Sequence, residues 1–448
     1  MHKNPRLLAS GYTKWMLTTI PANLAYAPLS TFIPLLLLSV GGTVLSIAIA
    51  VSAFNAVAIA SSFMWGRLAD LTGKRKPFIL ISYLGITLML VGIYFSTSSI
   101  AMIMAFYAGI ALFQQANPTA YNLLIMETDK EANWGRNFSN LQMVSNLGMV
   151  LGLVVAAIVT GLATLKLLIL VFALASFASA IVANLLIIEP MVNMTKEESI
   201  LKHASSLVVS MFSYPFRFST ASGVDHGLVR ASRLSLRKYI NNTFLLLCVS
   251  SFIYSIGANM FNTEYPASLQ IHGLAESEVF LVILVASVIQ TIFFHYAIQP
   301  EDKGNVYKSY TGMSYMRSLS YAFIAISFIT TGIGFLTANI ILYAIVSGIT
   351  YPLYYTASYA LVFDSLRNRK RGNALGIYNG VGTIGNFFGA VAASVSQVFG
   401  FPVLFLASAA LVFTSVFPIK ACISNEKRAA VPIQAVQPQP AVAITAGK

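Results

Sequence analysis

The sequence predicts an all-α polytopic membrane protein, with twelve transmembrane helices in two six-helix repeats and both termini cytoplasmic. Three observations predict it. Of the 448 residues, 57% are hydrophobic and only 10% are charged, against about 45–50% apolar and about 25% charged in soluble domains. The basic residues gather in short clusters on one side of the apolar runs. The two halves of the chain also match each other at a fixed offset.

Apolar runs long enough to cross a bilayer, about 20 residues each, lie at 15–40, 44–65, 77–96, 100–124, 138–161 and 166–188. A second series lies at 240–262, 278–298, 315–335, 337–361, 374–398 and 401–420. The first run is too long for the core of a signal peptide and reads as an uncleaved span. With the N-terminus inside, the outer loops are VGGT, STSS, TGLATLK, TEYPASLQIHGLAESE, TAN and FGF. They contain one base, Lys166, out of the 28 Lys and Arg in the chain. The rest fall on the cytoplasmic side, a segregation that a miscounted span would scramble.

The chain therefore divides into a first six-helix half (1–188), a cytoplasmic linker (189–239), a second half (240–425) and a disordered cytoplasmic tail (426–448). The tail is rich in Pro, Ala and Gln and has too little apolar surface to pack. Multi-pass insertion in the plasma membrane, contact with lipids and a monomeric state complete the expectation.

Several function classes drop out on composition and motifs. The net charge of +13 is spread between apolar runs and forms no continuous basic face, so nucleic acid is not an expected partner. Cys248 and Cys422 make no CxxC pair, which removes disulfide and metal frameworks. No GxxxxGK[ST] run exists, so the chain is not an ATP-driven pump, and no cofactor is expected. Gly380, Gly382 and Gly385 spell GxGxxG inside a span with no strand before it, and read as a helix-packing face. The five histidines do not cluster and no acids pair, so an integral-membrane enzyme is not expected.

The internal repeat is visible in two loops. METDKEANWGR precedes the fifth span and FDSLRNRKRGN the eleventh. At an offset of 237 residues, Glu127 matches Asp364, Gly135 matches Gly372, Gly148 matches Gly385 and Gly152 matches Gly389. Parallel repeats of this kind leave a cleft between the halves, suited to a central solute site and rocking motion.

The stretch GRLADLTGKRKPF, Gly66–Phe78, concentrates Arg67, Asp70, Lys74, Arg75 and Lys76 between the second and third spans. It resembles the loop signature of the major facilitator superfamily, roughly G-x-L-[AS]-D-[RK]-x-G-[RK]-[RK]. Gly66, Leu68, Asp70, Gly73, Lys74 and Arg75 match, and Leu71 stands where a base is usual. The resemblance implies alternating access, with spans three, six, nine and twelve peripheral. It also implies that Asp70 latches the halves on the cytoplasmic side, near the start of span eleven. The gating set is then Gly66, Asp70, Gly73, Lys74 and Arg75, with Glu127, Arg136, Asp364, Arg371 and Gly372 from the repeated loops. In that picture Gly66 and Gly73 allow close backbone approach in a tight turn, and Pro77 opens span three. Two features common in proton-driven members are missing. Ala105 stands four residues before Gly109 where an embedded Arg is frequent, and NLGMVLGLVV lacks the Pro of a GPxxGG pattern.

Polar residues within spans favour a bundle interior. Asn23, Tyr26, Asn55, Gln114, Gln115, Asn117 and Asn146 in the first half are candidates to line a cavity. Asn259, Gln290, Tyr351, Tyr354, Tyr355 and Asn379 are the candidates in the second. The alternative for any single amide is a hydrogen bond between helices, worth about 1 kcal/mol. Tyr351, Tyr354, Tyr355 and Ser358 are expected to share one face of span ten. Glu264, at the outer end of span seven, and His295, deeper in span eight, are the candidates for proton coupling. Arg317 falls near the cytoplasmic end of span nine, so no base is expected at mid-depth. An interior of amides and phenols suits uncharged polyhydroxy solutes, or amphipathic and cationic ones held by ring faces. The expected function is secondary active or facilitative transport of a small organic solute. The alternatives are drug or metabolite efflux by proton antiport and a non-transporting sensor or scaffold.

Overall fold

A computed structural model describes residues 14–72, 74–128, 134–162, 164–187, 242–296, 303–365 and 371–421. The linker, the tail and Gly73 lie outside these residues. Every regular element among them is helical. After a 3-10 turn at Lys14–Thr18 come α1 (Thr19–Tyr26), α2 (Leu29–Ser39), α3 (Val44–Thr72), α4 (Lys76–Phe95), α5 (Ile100–Gln114) and α6 (Ala116–Thr128). Next are α7 (Trp134–Leu162), α8 (Leu165–Leu186), α9 (Asn242–Ile271), α10 (Glu276–Tyr296), α11 (Lys303–Ser327) and α12 (Gly332–Tyr343). A π-helical segment, Ala344–Ile349, leads into α13 (Thr350–Ser365), followed by α14 (Arg371–Ala393), α15 (Ser396–Phe399) and α16 (Phe401–Thr414).

Among the described residues, eleven helical stretches are long and apolar enough to cross a membrane. α11 is not one of them, because its first half, KGNVYKSYTG, is polar.

Three boundaries differ from the sequence reading, each for a physical reason. The seventh span does not stop at 262: α9 continues through Pro266 to Ile271. A proline inside a helix normally marks a break, but here buried Phe261, Tyr265 and Leu269 hold the segment helical. The expected outer loop shrinks to the turn after Ile271. The ninth span does not run 315–335. α11 ends at Ser327 and the chain turns at 328–331, so the expected loop TAN lies inside α12. The turn is made by Thr330, whose Oγ1 donates to the Ser327 carbonyl, and by Gly332 at φ 61°, a left-handed backbone that glycine adopts without steric penalty. Finally, Gly66 belongs to the last turns of α3, and a Cβ placed there would meet nothing within 4 Å. The close approach expected at Gly66 is absent among the described residues. Pro77 does sit in the first turn of α4.

Packing between helices rests on small residues, as it must where lipid is as apolar as leucine. α7 packs on α1, and Gly148 and Gly152 lie against the backbone of Ile20 and Leu24. α14 packs on α9, and Gly385 and Gly389 lie in the same way against Phe252 and Ile256. α4 packs on α8 and α11 on α16, while α3 packs on α5 and α10 on the π segment. Contacts between early and late helices join α7 to α10, α3 to α14 and α2 to α9. Large apolar side chains face outward on α4 (Leu88), α8 (Leu174), α11 (Leu319) and α16 (Leu406), though α7 and α10 expose some as well.

Candidate functional site

Several helical stretches are interrupted within their spans, and at the three breaks described next a proline is the cause. Pro28 lacks the N–H that would bond the Leu24 carbonyl, so α1 ends at Tyr26 and α2 starts afresh. Pro118 does the same to Gln114, and α5 gives way to α6 at Gln115. Pro352 follows the π segment, whose wider turn accommodates the missing bond to Gly348. Interrupted helices at membrane depth are characteristic of transporter binding sites.

The candidate amides of the early helices divide into satisfied and orphaned groups. Asn23 Nδ2 donates to the Thr19 carbonyl at 2.8 Å and Asn55 Nδ2 to the Val51 carbonyl at 2.9 Å, each on its own helix. Asn117 is buried, and neither its nitrogen nor its oxygen has a hydrogen-bond partner among the described residues. Asn146 Nδ2 is likewise buried without one. Gln114, Gln115 and Tyr26 are half-buried. A polar atom sealed without a partner costs about 1–3 kcal/mol, so each such group calls for a bound water, a ligand or a role beyond stability.

In the later helices the tyrosines separate into two sets. Tyr351, Tyr355 and Tyr359 form a ladder along α13, with ring centroids 5.8 and 4.4 Å apart, and Phe294 meets the first two edge-on. Gln142 on α7 donates to the Tyr355 hydroxyl at 3.2 Å, linking early and late helices inside the bundle. Tyr359 donates to Asn379 Oδ1 at 2.8 Å, and Asn259 Nδ2 to the Asn386 carbonyl at 2.6 Å. Gln290 is buried on α10 and accepts from Ser347 at 3.4 Å. Tyr354 turns away from the ladder. It stacks on Tyr254 at 3.8 Å, and its hydroxyl lies 3.2 Å from that of Tyr310. The single shared face expected of Tyr351, Tyr354 and Tyr355 is therefore two faces.

Arg317 overturns the expectation of an interior without bases. It is the fifteenth of the 25 residues of α11 and is 4% exposed. Its Nε donates to the Tyr321 hydroxyl at 2.8 Å and its Nη1 to the Tyr254 hydroxyl at 3.0 Å. The rings of Tyr254, Tyr321 and Tyr351 lie 5.6, 5.6 and 5.9 Å from the guanidinium carbon. Each such contact is worth roughly 2 kcal/mol when desolvated. Sequence reasoning missed the residue because the ninth span was placed too late, which left Arg317 near its end. The signal that could have found it is Tyr321 one helical turn on, a ring within reach of the same face.

Glu264 is not at a helix end. It lies within α9, fully buried, and neither carboxyl oxygen has a hydrogen-bond partner among the described residues. His295 occupies the last turn of α10, exposed and edge-on to Tyr296, rather than deep in the span. Of the gating set, Lys74 is exposed and Arg75 is buried. Asp70, Glu127, Arg136, Asp364, Arg371 and Gly372 lie on helices, but their side chains are outside the described residues. A separate cleft of about 460 Å³, at the ends of α2, α4 and α8, is lined in part by Ser39, Ser98, Lys166 and Glu276.

The sequence model of the Major Facilitator Superfamily matches residues 15–299 and 317–445. No curated protein sequence matches the chain. Among solved structures, the fold is similar to that of a mutant of the nucleoside transporter NupG, with a TM-score of 0.65 at 11% identity over 93% of this chain and 99% of that one. The human organic anion transporter MFSD10 (TETRAN) is similar at TM-score 0.57 and 15% identity, over 93% and 100%. A POT family transporter in complex with 5-aminolevulinic acid is similar at 0.64 and 13%, over 93% and 96%. At these identities the likeness is one of fold.

Proposed function

The chain belongs to the major facilitator superfamily, and from that premise we propose that it moves a small organic solute across the membrane by alternating access. It is a multi-pass integral membrane protein. In this reading α11 supplies a twelfth span, and two six-helix halves flank the linker with both termini cytoplasmic. The matched packing of Gly148 and Gly152 on α1, and of Gly385 and Gly389 on α9, supports the duplication.

The observation that carries the proposal is the Gln142–Tyr355 bond. It joins helices from opposite sides of the linker within the bundle, beside a tyrosine ladder and a proline-interrupted helix. A solute entering between the halves would meet those side chains first. Asn117, Asn146 and Gln290 complete a lining of amides and phenols. On the cytoplasmic side, Asp70 is the proposed latch. Asp70→Asn is expected to favour the inward-open state, and unaltered cytoplasmic labelling of introduced cysteines would count against it.

The deciding experiment is solute flux into proteoliposomes containing the purified chain, using nucleosides, sugars, amino acids, carboxylates and cationic drugs. Saturable uptake that falls in Gln114→Ala, with folded protein retained, is the expected result. An absence of flux across the whole panel, with the fold intact, would sink the transport reading in favour of a sensor or scaffold. The likeness to solved structures leaves the solute open, since those proteins are named for nucleosides and organic anions, or hold 5-aminolevulinic acid. A proton-coupled version of the same reading is favoured by one observation, the buried carboxyl of Glu264.

A further inference from the structure

We propose that Arg317 is the binding group for a single carboxylate, and that the transported solute is therefore a monocarboxylate with an apolar or aromatic body. The inference rests on the transport reading for its role, but the binding site stands on its own geometry.

A guanidinium carries its charge at every accessible pH and offers five N–H donors in a planar fork. Arg317 holds that group in the interior of α11 and uses two donors, toward the hydroxyls of Tyr321 and Tyr254. Both partners are neutral. No hydrogen bond from its other N–H groups and no ion pair to a carboxylate is found among the described residues. An arginine that merely tied helices together would be expected to meet a carboxylate, because an uncompensated buried charge is strongly unfavourable. The tyrosine rings direct their negative faces at the cation and reduce that cost, but they carry no net charge.

Glu264 is not the missing counter-ion. It lies ten residues along α9 from Tyr254, roughly 15 Å at the helical rise, while Tyr254 touches the guanidinium directly.

The third ring facing Arg317 belongs to Tyr351, which is only partly buried and begins the α13 ladder. From there Tyr355 leads to Gln142. The charge therefore sits at one end of the amide-and-phenol lining proposed to receive the solute. One guanidinium matches one carboxylate in a forked pair, and no second basic side chain is present in the interior of the spans among the described residues to match a doubly charged phosphate. The surrounding rings would pack on the rest of an apolar or aromatic molecule.

The test compares acids with their uncharged amides: benzoate with benzamide, and isovalerate with isovaleramide. Thermal stability of the purified full chain and saturable uptake into proteoliposomes are both read. In the wild-type protein each acid should raise the melting temperature and be taken up, and its amide should do neither. Arg317→Gln should weaken binding of the acids by about ten- to a hundredfold, the range for a charged hydrogen bond, and Arg317→Lys should restore part of it. Size-exclusion behaviour reports whether each variant is folded. If Arg317→Gln does not fold, the wild-type comparison of acid with amide still decides. Equal responses to acid and amide, or an undiminished acid response in folded Arg317→Gln, overturn the proposal. Flux of a neutral solute such as uridine, with no response to either acid, overturns the carboxylate site while leaving transport standing. Acid binding without flux of any solute upholds the site and removes the transport reading instead.

Discussion

Gly152 on α7 lies so close to α1 that a Cβ at that position would come within 2.5 Å of the Leu24 carbonyl oxygen. Leu24 is the residue whose carbonyl Pro28 leaves without its helical partner, so the kink and the close approach are parts of one contact. Gly389 repeats the relationship on α9, where a Cβ would lie 2.5 Å from the Ile256 carbonyl oxygen.

Because those obstacles are backbone atoms, relief requires the helices to separate. Gly152→Ala and Gly389→Ala should each destabilise the bundle by about 1–3 kcal/mol, the range for overpacking. Gly66→Ala should be neutral or slightly stabilising, since its site is open and alanine favours helix. Melting temperatures of the three variants check this, and a Gly66→Ala as damaging as the other two would contradict it.

Gln142 and Tyr355 should be energetically coupled. A double-mutant cycle with Gln142→Ala and Tyr355→Phe is expected to give about 0.6–1 kcal/mol, as for other interhelical bonds in membranes. Under the proposed alternating access, uptake should change more than stability, because the bond would break each time the halves part on that side. Additive stability effects with unaltered uptake would remove the bond from the transport cycle.

Asn117 should trade stability for function. Asn117→Leu removes a buried amide with no partner among the described residues, so the protein should melt no lower and as much as about 1–3 kcal/mol more stably. Uptake should fall. A variant that melts lower while transporting normally would show that the amide is structural.

Glu264→Gln tests coupling without changing shape. If the carboxyl carries a proton, uptake in the variant should lose its dependence on a pH gradient while exchange of solute at equal pH continues. Assays with an imposed gradient and with counterflow separate the two. Gradient-driven uptake that survives the substitution assigns Glu264 no part in coupling.

Much of the fold was readable because lipid imposes a simple requirement. Each span needs a long apolar run, and eleven of the runs are present as such among the described residues. The exception, α11, combines a polar first half with a buried arginine, so hydropathy alone placed its boundary late. The glycines at 148, 152, 385 and 389 were legible as a repeat, and the structure shows the helix backbones they admit. The candidate site was less readable. Asn23 and Asn55 look identical to Asn117 in sequence, yet their amides bond their own helix while that of Asn117 has no partner among the described residues. Spacing along one helix cannot reveal what the neighbouring helix brings. The same blindness hid Arg317, whose partners come from α9 and α13 as well as its own helix.

The π-helical segment at Ala344–Ile349 sets the aim of everything after it. Each residue advances a helix by about 100°, so one residue more or fewer before Thr350 would swing Tyr351, Tyr355 and Tyr359 to a different compass bearing. Their orientation thus depends on how many residues the segment holds rather than on which ones. Deleting a single residue there, leaving every tyrosine in place, should silence uptake as thoroughly as removing the rings.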